Sequence, residues 1–179
     1  MLARAFVTNP LHIAAFGRDE LLKNEIFFGT GLRVMKGPKF VALDEARVVG
    51  FIHWVRSTDC QFPLPEKLRM MPAMTMGFGP RSALRVASWL SAWARHDPGE
   101  PHVHLGPIGV DPGVQRQHIG QELMERYCHE LDREGALGYL ETDRPGNVEF
   151  YRRFGFEITS EIPILGVPNY FMKRVATSS

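Results

Sequence analysis

Gln115, Arg116, Gln117, His118, Ile119, Gly120 and Gln121 follow a strand-like run ending in Ile108, Gly109 and Val110, with a turn at Asp111-Pro112-Gly113 between them. A strand that turns into a helix start leaves the first backbone N–H groups of the helix without partners. The aligned peptide dipoles add roughly half a positive charge there. Such a turn suits a pyrophosphate. Gly120 removes a Cβ where a ligand must approach the backbone, and Arg116 adds a cation at the mouth. The same turn also serves ordinary packing, so alone it leaves both readings open.

Further on, Asn147 and Tyr151 stand four apart, as do Phe150 and Phe154, and Gly155 and Phe156 follow. Residues four apart share a helix face, so the segment reads as a short amphipathic helix with a glycine stop. Its plainer reading is packing, with Tyr151 half buried. A phenol with an ordinary pKa near ~10 can nevertheless supply a proton to a thiolate whose conjugate acid lies near ~8.5.

Together, in this order, the two segments resemble the signatures of the GCN5-related N-acetyltransferases. The first signature of that family runs Gln or Arg, two residues, Gly, one residue, Gly or Ala. Gln115, His118 and Gly120 occupy its three places, with His118 where the family usually has its first Gly. The second is the Asn and Tyr four apart before a Gly-Phe pair. The resemblance spans about residues 102 to 175 and implies acetyl-CoA as co-substrate. It places the pyrophosphate on the segment from Gln115 to Gln121, Asn147 on the pantetheine arm, and Tyr151 beside the sulfur as proton donor. It also implies an α/β fold: a mixed, mostly antiparallel sheet flanked by helices. The sheet splays between its fourth and fifth strands, here the strand ending at Val110 and the strand around Leu140. Backbone N–H groups near Ile108, Gly109 and Val110 would then serve the developing oxyanion.

A proton must also leave the attacking amine. His104, eleven residues before Gln115, lies about where some family members carry a catalytic Glu, and its ordinary pKa near ~6.5 suits a base. Alternation puts His102, His104 and Ile108 on one face of the strand, which a helix could equally cover. His102 and His104 could also share a metal, yet no third ligand stands at a recognisable spacing, so no metal is expected. Cys60 and Cys128 match neither a zinc pattern nor a disulfide framework, and nothing beside Cys128 suggests an activated thiolate. Direct attack of the amine on the thioester is therefore expected, without a covalent enzyme intermediate.

These residues need elements to hold them. Apolar residues at Leu11, Ala14 and Ala15 behind Asn9-Pro10 predict a helix, and a second short one is expected over Leu21 to Phe28. Lys39 to Leu43 and Arg47 to Val55 predict a hairpin turning at Asp44-Glu45. Residues 57 to 80, with Pro63, Pro65, Pro72, Pro80 and four methionines, predict only short helix. Val86, Trp89, Leu90 and Trp93 form one helical stripe, and Ile119, Leu123, Tyr127 and Leu131 another, closed by Gly135. Strands are predicted around Gly138 to Thr142, Phe156 to Thr159 and Tyr170 to Val175. Phe27, Phe28, Trp54 and the methionines from Met70 to Met76 are candidates for an apolar acceptor pocket, or for core.

At 179 residues with 44% hydrophobic content, the chain reads as a single acyltransferase domain, acceptor side about 1–100 and acetyl-CoA side about 101–175. Twenty-one basic against 20 acidic residues leave a net charge of +1, which argues against nucleic acid or anionic membrane as partner. With no leader-like or spanning apolar run, a cytoplasmic protein with reduced thiols is expected. Its partner would be a small-molecule or peptide amine, and its oligomeric state is open, a homodimer included. The competing reading is a non-catalytic acyl-CoA sensor of the same fold. A nucleotide-binding domain is disfavoured by the lack of a P-loop Lys.

Overall fold

The computed structural model describes residues 1–57, 59–61 and 63–177; Thr58 and Phe62 of the proline-rich stretch and Ser178–Ser179 lie outside them. Three helices, α1 (Leu2–Phe6), α2 (Pro10–Phe16) and α3 (Leu21–Val34), precede the hairpin β1 (Lys39–Asp44) and β2 (Arg47–Arg56). Then come α4 (Leu64–Phe78), α5 (Pro80–Ala94), β3 (Val103–Val110), α6 (Ile119–Glu134), β4 (Gly138–Thr142), α7 (Pro145–Arg152), β5 (Glu157–Ile164) and β6 (Val167–Arg174). The six strands form one sheet in the order β1-β2-β3-β4-β6-β5, antiparallel except for β3 and β4.

Alternation along the strands sorts the two faces. Leu140 and Met172 join Ile52, Val103 and Leu105 beneath α6, whose stripe of Leu123, Tyr127 and Leu131 is buried as predicted. Tyr139 and Phe171 point the other way, into a cluster with Leu11 and Phe16 of α2 and Val86 and Trp89 of α5. Gly135 takes the left-handed conformation that ends α6.

Three elements differ from the sequence reading. A first helix, α1, lies against β3; a Cβ on Gly109 would stand 3.0 Å from Leu2 and 3.1 Å from Phe6, so this glycine seats the helix. The second expected helix runs on through Gly29 and Gly31 to Val34, with Phe28 and Gly31 buried by its neighbours. The stretch expected to hold only short helix forms the 15-residue α4, packed on α3 and α5. Pro65 sits in its first turn, where a missing N–H costs nothing, and Leu, Met and Ala favour the helix. Pro72 lies inside it, and the carbonyl that it leaves free belongs to Leu68, an exposed residue.

The sheet parts where the reading placed the split, between the strand ending at Val110 and the strand around Leu140, which are third and fourth in chain order here. β3 pairs with β4 only at Val103↔Gly138 and His104↔Tyr139. Just beyond, the register of β2 against β3 slips: Ile52 faces Ile108 and Trp54 faces Leu105, so Gly106 and Pro107 together oppose His53. A bulge of this kind bends a strand, and Pro107 has no N–H to offer β4. A Cβ on Gly106 would collide with the His53 ring, which makes glycine necessary there. The bulge also corrects the expected alternation, since Ile108 packs with Val103 and Leu105 rather than sharing the face of His102 and His104.

Candidate active site

The split opens into a cavity of about 1040 Å³. Its walls include Ile108, Gly109, Val110, Gln115, Arg116, His118, Ile119, Gly120 and Gln121 on one side and Asn147 and Tyr151 on the other, with His104 between; Gln117 lies outside the lining. Two segments about thirty residues apart in sequence thus face one space.

The turn before α6 is shaped by backbone rather than by glycine. Asp111 accepts the N–H of Gly113 at 3.1 Å and starts a turn over Pro112–Val114. Gln115 donates its side-chain amide to the Val110 carbonyl at 3.2 Å. Arg116 and His118 then adopt left-handed φ of 65° and 64°. Left-handed residues in such a turn aim backbone N–H groups at one point, a concavity suited to anions. Each costs a non-glycine residue about 1 kcal/mol, and His tolerates the region better than most. His118 therefore keeps the shape that a glycine would give, while its exposed ring donates to Gln121 Oε1 at 3.2 Å. The first helical bond of α6 runs from Glu122 N–H to His118 carbonyl, so the N–H groups of Ile119, Gly120 and Gln121 have no helical partner. A Cβ on Gly120 would meet nothing nearer than Val110 Cγ2 at 3.6 Å. Nothing within the protein demands glycine there.

Across the cavity, Asn147 donates to Thr142 Oγ1 at 3.1 Å, which fixes α7 to the end of β4. Tyr151 is buried between Phe150 and Phe156. Burial, with a smaller push from Asp143, holds its phenol well above the ordinary range, so it stays protonated. Burial likewise raises the Asp143 carboxyl. Arg144 and Arg153 bring further cations to the rim.

His104 lies where β3 and β4 still touch. Its Nε2 donates to Glu141 Oε2 at 2.8 Å and its Nδ1 faces Asp97 Oδ1 at 3.4 Å. Burial would lower its pKa, but Glu141 and Asp97 outweigh burial and raise it well above the ordinary value. The expectation that no third ligand accompanies the histidine pair is corrected here. Asp97 and Cys60, from segments distant in sequence, complete a four-residue cluster with His102 and His104.

The far end of the cavity was anticipated from the sequence only at Phe27 and Phe28. Phe6, His12, Phe27, Phe28, Trp89 and Trp93 line it together with Asp59, Glu141 and Asp143. Of the anticipated pocket residues, Phe27 and Phe28 belong there, whereas Trp54 stacks on Phe40 at 4.9 Å within the core under α6. His12 donates from Nδ1 to Asn24 Oδ1 at 2.6 Å among aromatic rings, and burial lowers its pKa to about 4. Only the alternation of Tyr139 and Glu141 along β4 hinted that a carboxylate faced the split. Among the described residues, no helix is long and apolar enough to cross a membrane.

Solved structures share this fold. The histone acetyltransferase HPA2 and related acetyltransferase from Corynebacterium glutamicum superposes with a TM-score of 0.71 at 20% identity, covering 99% of this chain and 88% of that one. A polyamine N-acetyltransferase from Drosophila melanogaster gives 0.59 at 16% identity, over 96% and 89%. Naa20 from Chaetomium thermophilum, in complex with a bisubstrate analogue, gives 0.54 at 16% identity, over 98% and 80%. At such identities the likeness is one of fold. The model of the acetyltransferase (GNAT) family matches residues 16–156, and the chain belongs to that family.

Proposed function

We propose that the protein transfers an acetyl group from acetyl-CoA to a primary amine by direct attack on the thioester. The observation that carries this reading is that the anion-binding turn before α6 and the buried phenol of Tyr151 face one cavity from opposite sides of the split. The pyrophosphate sits on the N–H groups from Gln115 to Gln121, with Arg116 beside it. Past His104 neither β3 nor β4 has the other as partner, so their free edges bond the pantetheine amides, as an added strand would, and Asn147 adds a donor.

The amine nitrogen attacks the thioester carbon, and the oxyanion takes backbone N–H groups of the Ile108–Val110 segment. The carbon–sulfur bond breaks, the thiolate takes the Tyr151 proton, and the phenol is recharged from solvent. His104 is not retained as the base: its nitrogens are engaged by Glu141 and Asp97, and water takes the proton of the amine. Aromatic rings beside Glu141 and Asp143 suit an acceptor with an apolar body and a cationic amine. The two free thiols fit a cytoplasmic setting.

Calorimetry with acetyl-CoA, ATP and NAD, followed by thiol release against amines, peptides, aminoglycosides and polyamines, tests the reading. Acetyl-CoA alone binds, and at least one amine releases thiol. Binding without release by any acceptor favours the sensor, and no binding at millimolar acetyl-CoA overturns both.

A further inference from the structure

Beside the last rung shared by β3 and β4, four side chains from three segments converge. Cys60 follows β2, Asp97 lies between α5 and β3, His102 precedes β3, and His104 is within it. One donor atom from each lies within 4.8 Å of every other. Asp97 Oδ1 stands 3.4 Å from both His102 Nε2 and His104 Nδ1, and Cys60 Sγ stands 3.0 Å from Asp97 Oδ2. These three nitrogen and oxygen atoms, Asp97 Oδ1, His102 Nε2 and His104 Nδ1, are buried without a hydrogen-bond partner, and the His102 side chain is only 1% exposed. Buried polar atoms are normally paired, and several orphans aimed at one point call for an ion.

The outer bonds of the two rings are already made. His102 Nδ1 donates to the Glu100 carbonyl at 2.9 Å, which leaves Nε2 for a metal. His104 Nε2 donates to Glu141 Oε2 at 2.8 Å, so once a metal displaces the other ring proton the lone pair stands on Nδ1. A carboxylate or carbonyl behind each imidazole, with the opposite nitrogen turned to a common centre, is the usual support of a histidine metal ligand. Tetrahedral zinc, with bonds of about 2.0–2.3 Å, has ligand-to-ligand edges of roughly 3.3–3.8 Å, which the two 3.4 Å separations at Asp97 Oδ1 match.

We propose that Cys60, Asp97, His102 and His104 bind one zinc ion that fastens the segment after β2 and the entry of β3 to the floor of the cavity. Thiolate, carboxylate and two imidazoles form a closed four-donor set, so the ion is structural and its presence is read in stability. Binding displaces the thiol proton from Cys60 and the protons that the two imidazoles hold toward Asp97, all of which pass to solvent.

The test uses the full chain without acetyl-CoA or acceptor, so its result is independent of the proposed reaction. Protein stripped with a chelator is titrated with zinc chloride alone, and then with cobalt(II) chloride. One equivalent is expected to bind and to raise Tm by about 5 °C or more. Cobalt should give the intense absorption of a tetrahedral site together with a thiolate-to-cobalt charge-transfer band. Cys60→Ser loses that band and His102→Gln weakens zinc binding at least about tenfold, whereas Cys128→Ser changes neither. No Tm shift with excess zinc, or a wild-type cobalt spectrum without the thiolate band, overturns the proposal even where the variants fold poorly. Zinc affinity and the cobalt spectrum unchanged in both folded variants overturn it as well.

Discussion

The carboxylate of Asp143, at the end of β4, accepts the backbone N–H of Leu11 in the first turn of α2 at 2.7 Å, across 132 positions of chain. Asn9, the residue placed to cap α2, leaves that N–H to Asp143 and donates its own amide to the same carboxylate at 3.5 Å. The helix carrying His12 is therefore docked on the strand that forms one lip of the split.

Asp143→Ala removes a buried acceptor and strands the Leu11 N–H, so it should lower stability by about 1–3 kcal/mol. Asp143→Asn keeps an oxygen in place and removes a charge that burial disfavours, and should lose less than about 1 kcal/mol. Urea midpoints of the two variants check this. Equal losses would mean that the hydrogen bond contributes nothing beyond packing.

His12 gives stability a definite pH dependence. Its folded pKa, about 4, lies below the ordinary value of 6.5, so between these limits the unfolded chain binds a proton that the folded one refuses. Stability is complete above 6.5, falls as pH drops toward 4, and the contribution of His12 levels off below that at about 3 kcal/mol lost. The carboxylates titrate too, so the difference between wild type and His12→Gln isolates the histidine. Wild type should lose the additional amount and the variant should not. An imidazole NMR titration with its midpoint near 6.5 would refute the account.

The turn before α6 was legible in the sequence because the residues that carry the family resemblance, Gln115, His118 and Gly120, lie within six positions of one another. The same holds for Asn147 and Tyr151 on α7. What escaped reading depends on distant pairs. No spacing joins Cys60 and Asp97 to the histidine pair, and no local rule makes Asp143 cap a helix that starts at Pro10. The bulge at Gly106-Pro107 is written in two residues that break strands, yet its register follows from the His53 ring opposite. α4 was misread because Pro72 weighs heavily in a local count, whereas packing on α3 and α5 decides the outcome.

Gly120 separates the needs of the ligand from those of the fold. A Cβ there meets only ordinary contacts, the nearest at 3.6 Å, and alanine favours a helix over glycine by up to about 1 kcal/mol. Gly120→Ala should be as stable as wild type or more so, and should bind acetyl-CoA at least about tenfold more weakly, because the methyl group occupies the approach to the N–H groups. Gly120→Glu adds a repelling charge and should abolish binding in a folded protein. Calorimetry beside thermal melts tells the two effects apart, and undiminished affinity in either variant would place the pyrophosphate elsewhere.

Tyr151→Phe keeps the ring between Phe150 and Phe156 and deletes one hydroxyl. Burial holds that phenol protonated, so the service proposed for it is a proton delivered as the carbon–sulfur bond breaks. On the proposed reading the cofactor's phosphates lie on the turn before α6, away from the phenol, so its Kd should hardly change. Turnover should fall roughly 10²-fold or more, the usual worth of a general acid, with little effect on the KM of the acceptor. A thioester whose leaving group is a stronger acid needs the proton less, and should lose correspondingly less rate in the variant. Single-turnover measurement keeps product release from hiding the chemical step. A turnover number unchanged with a true acceptor, with chemistry rate-limiting, would remove Tyr151 from the reaction and leave water as the donor to the thiolate.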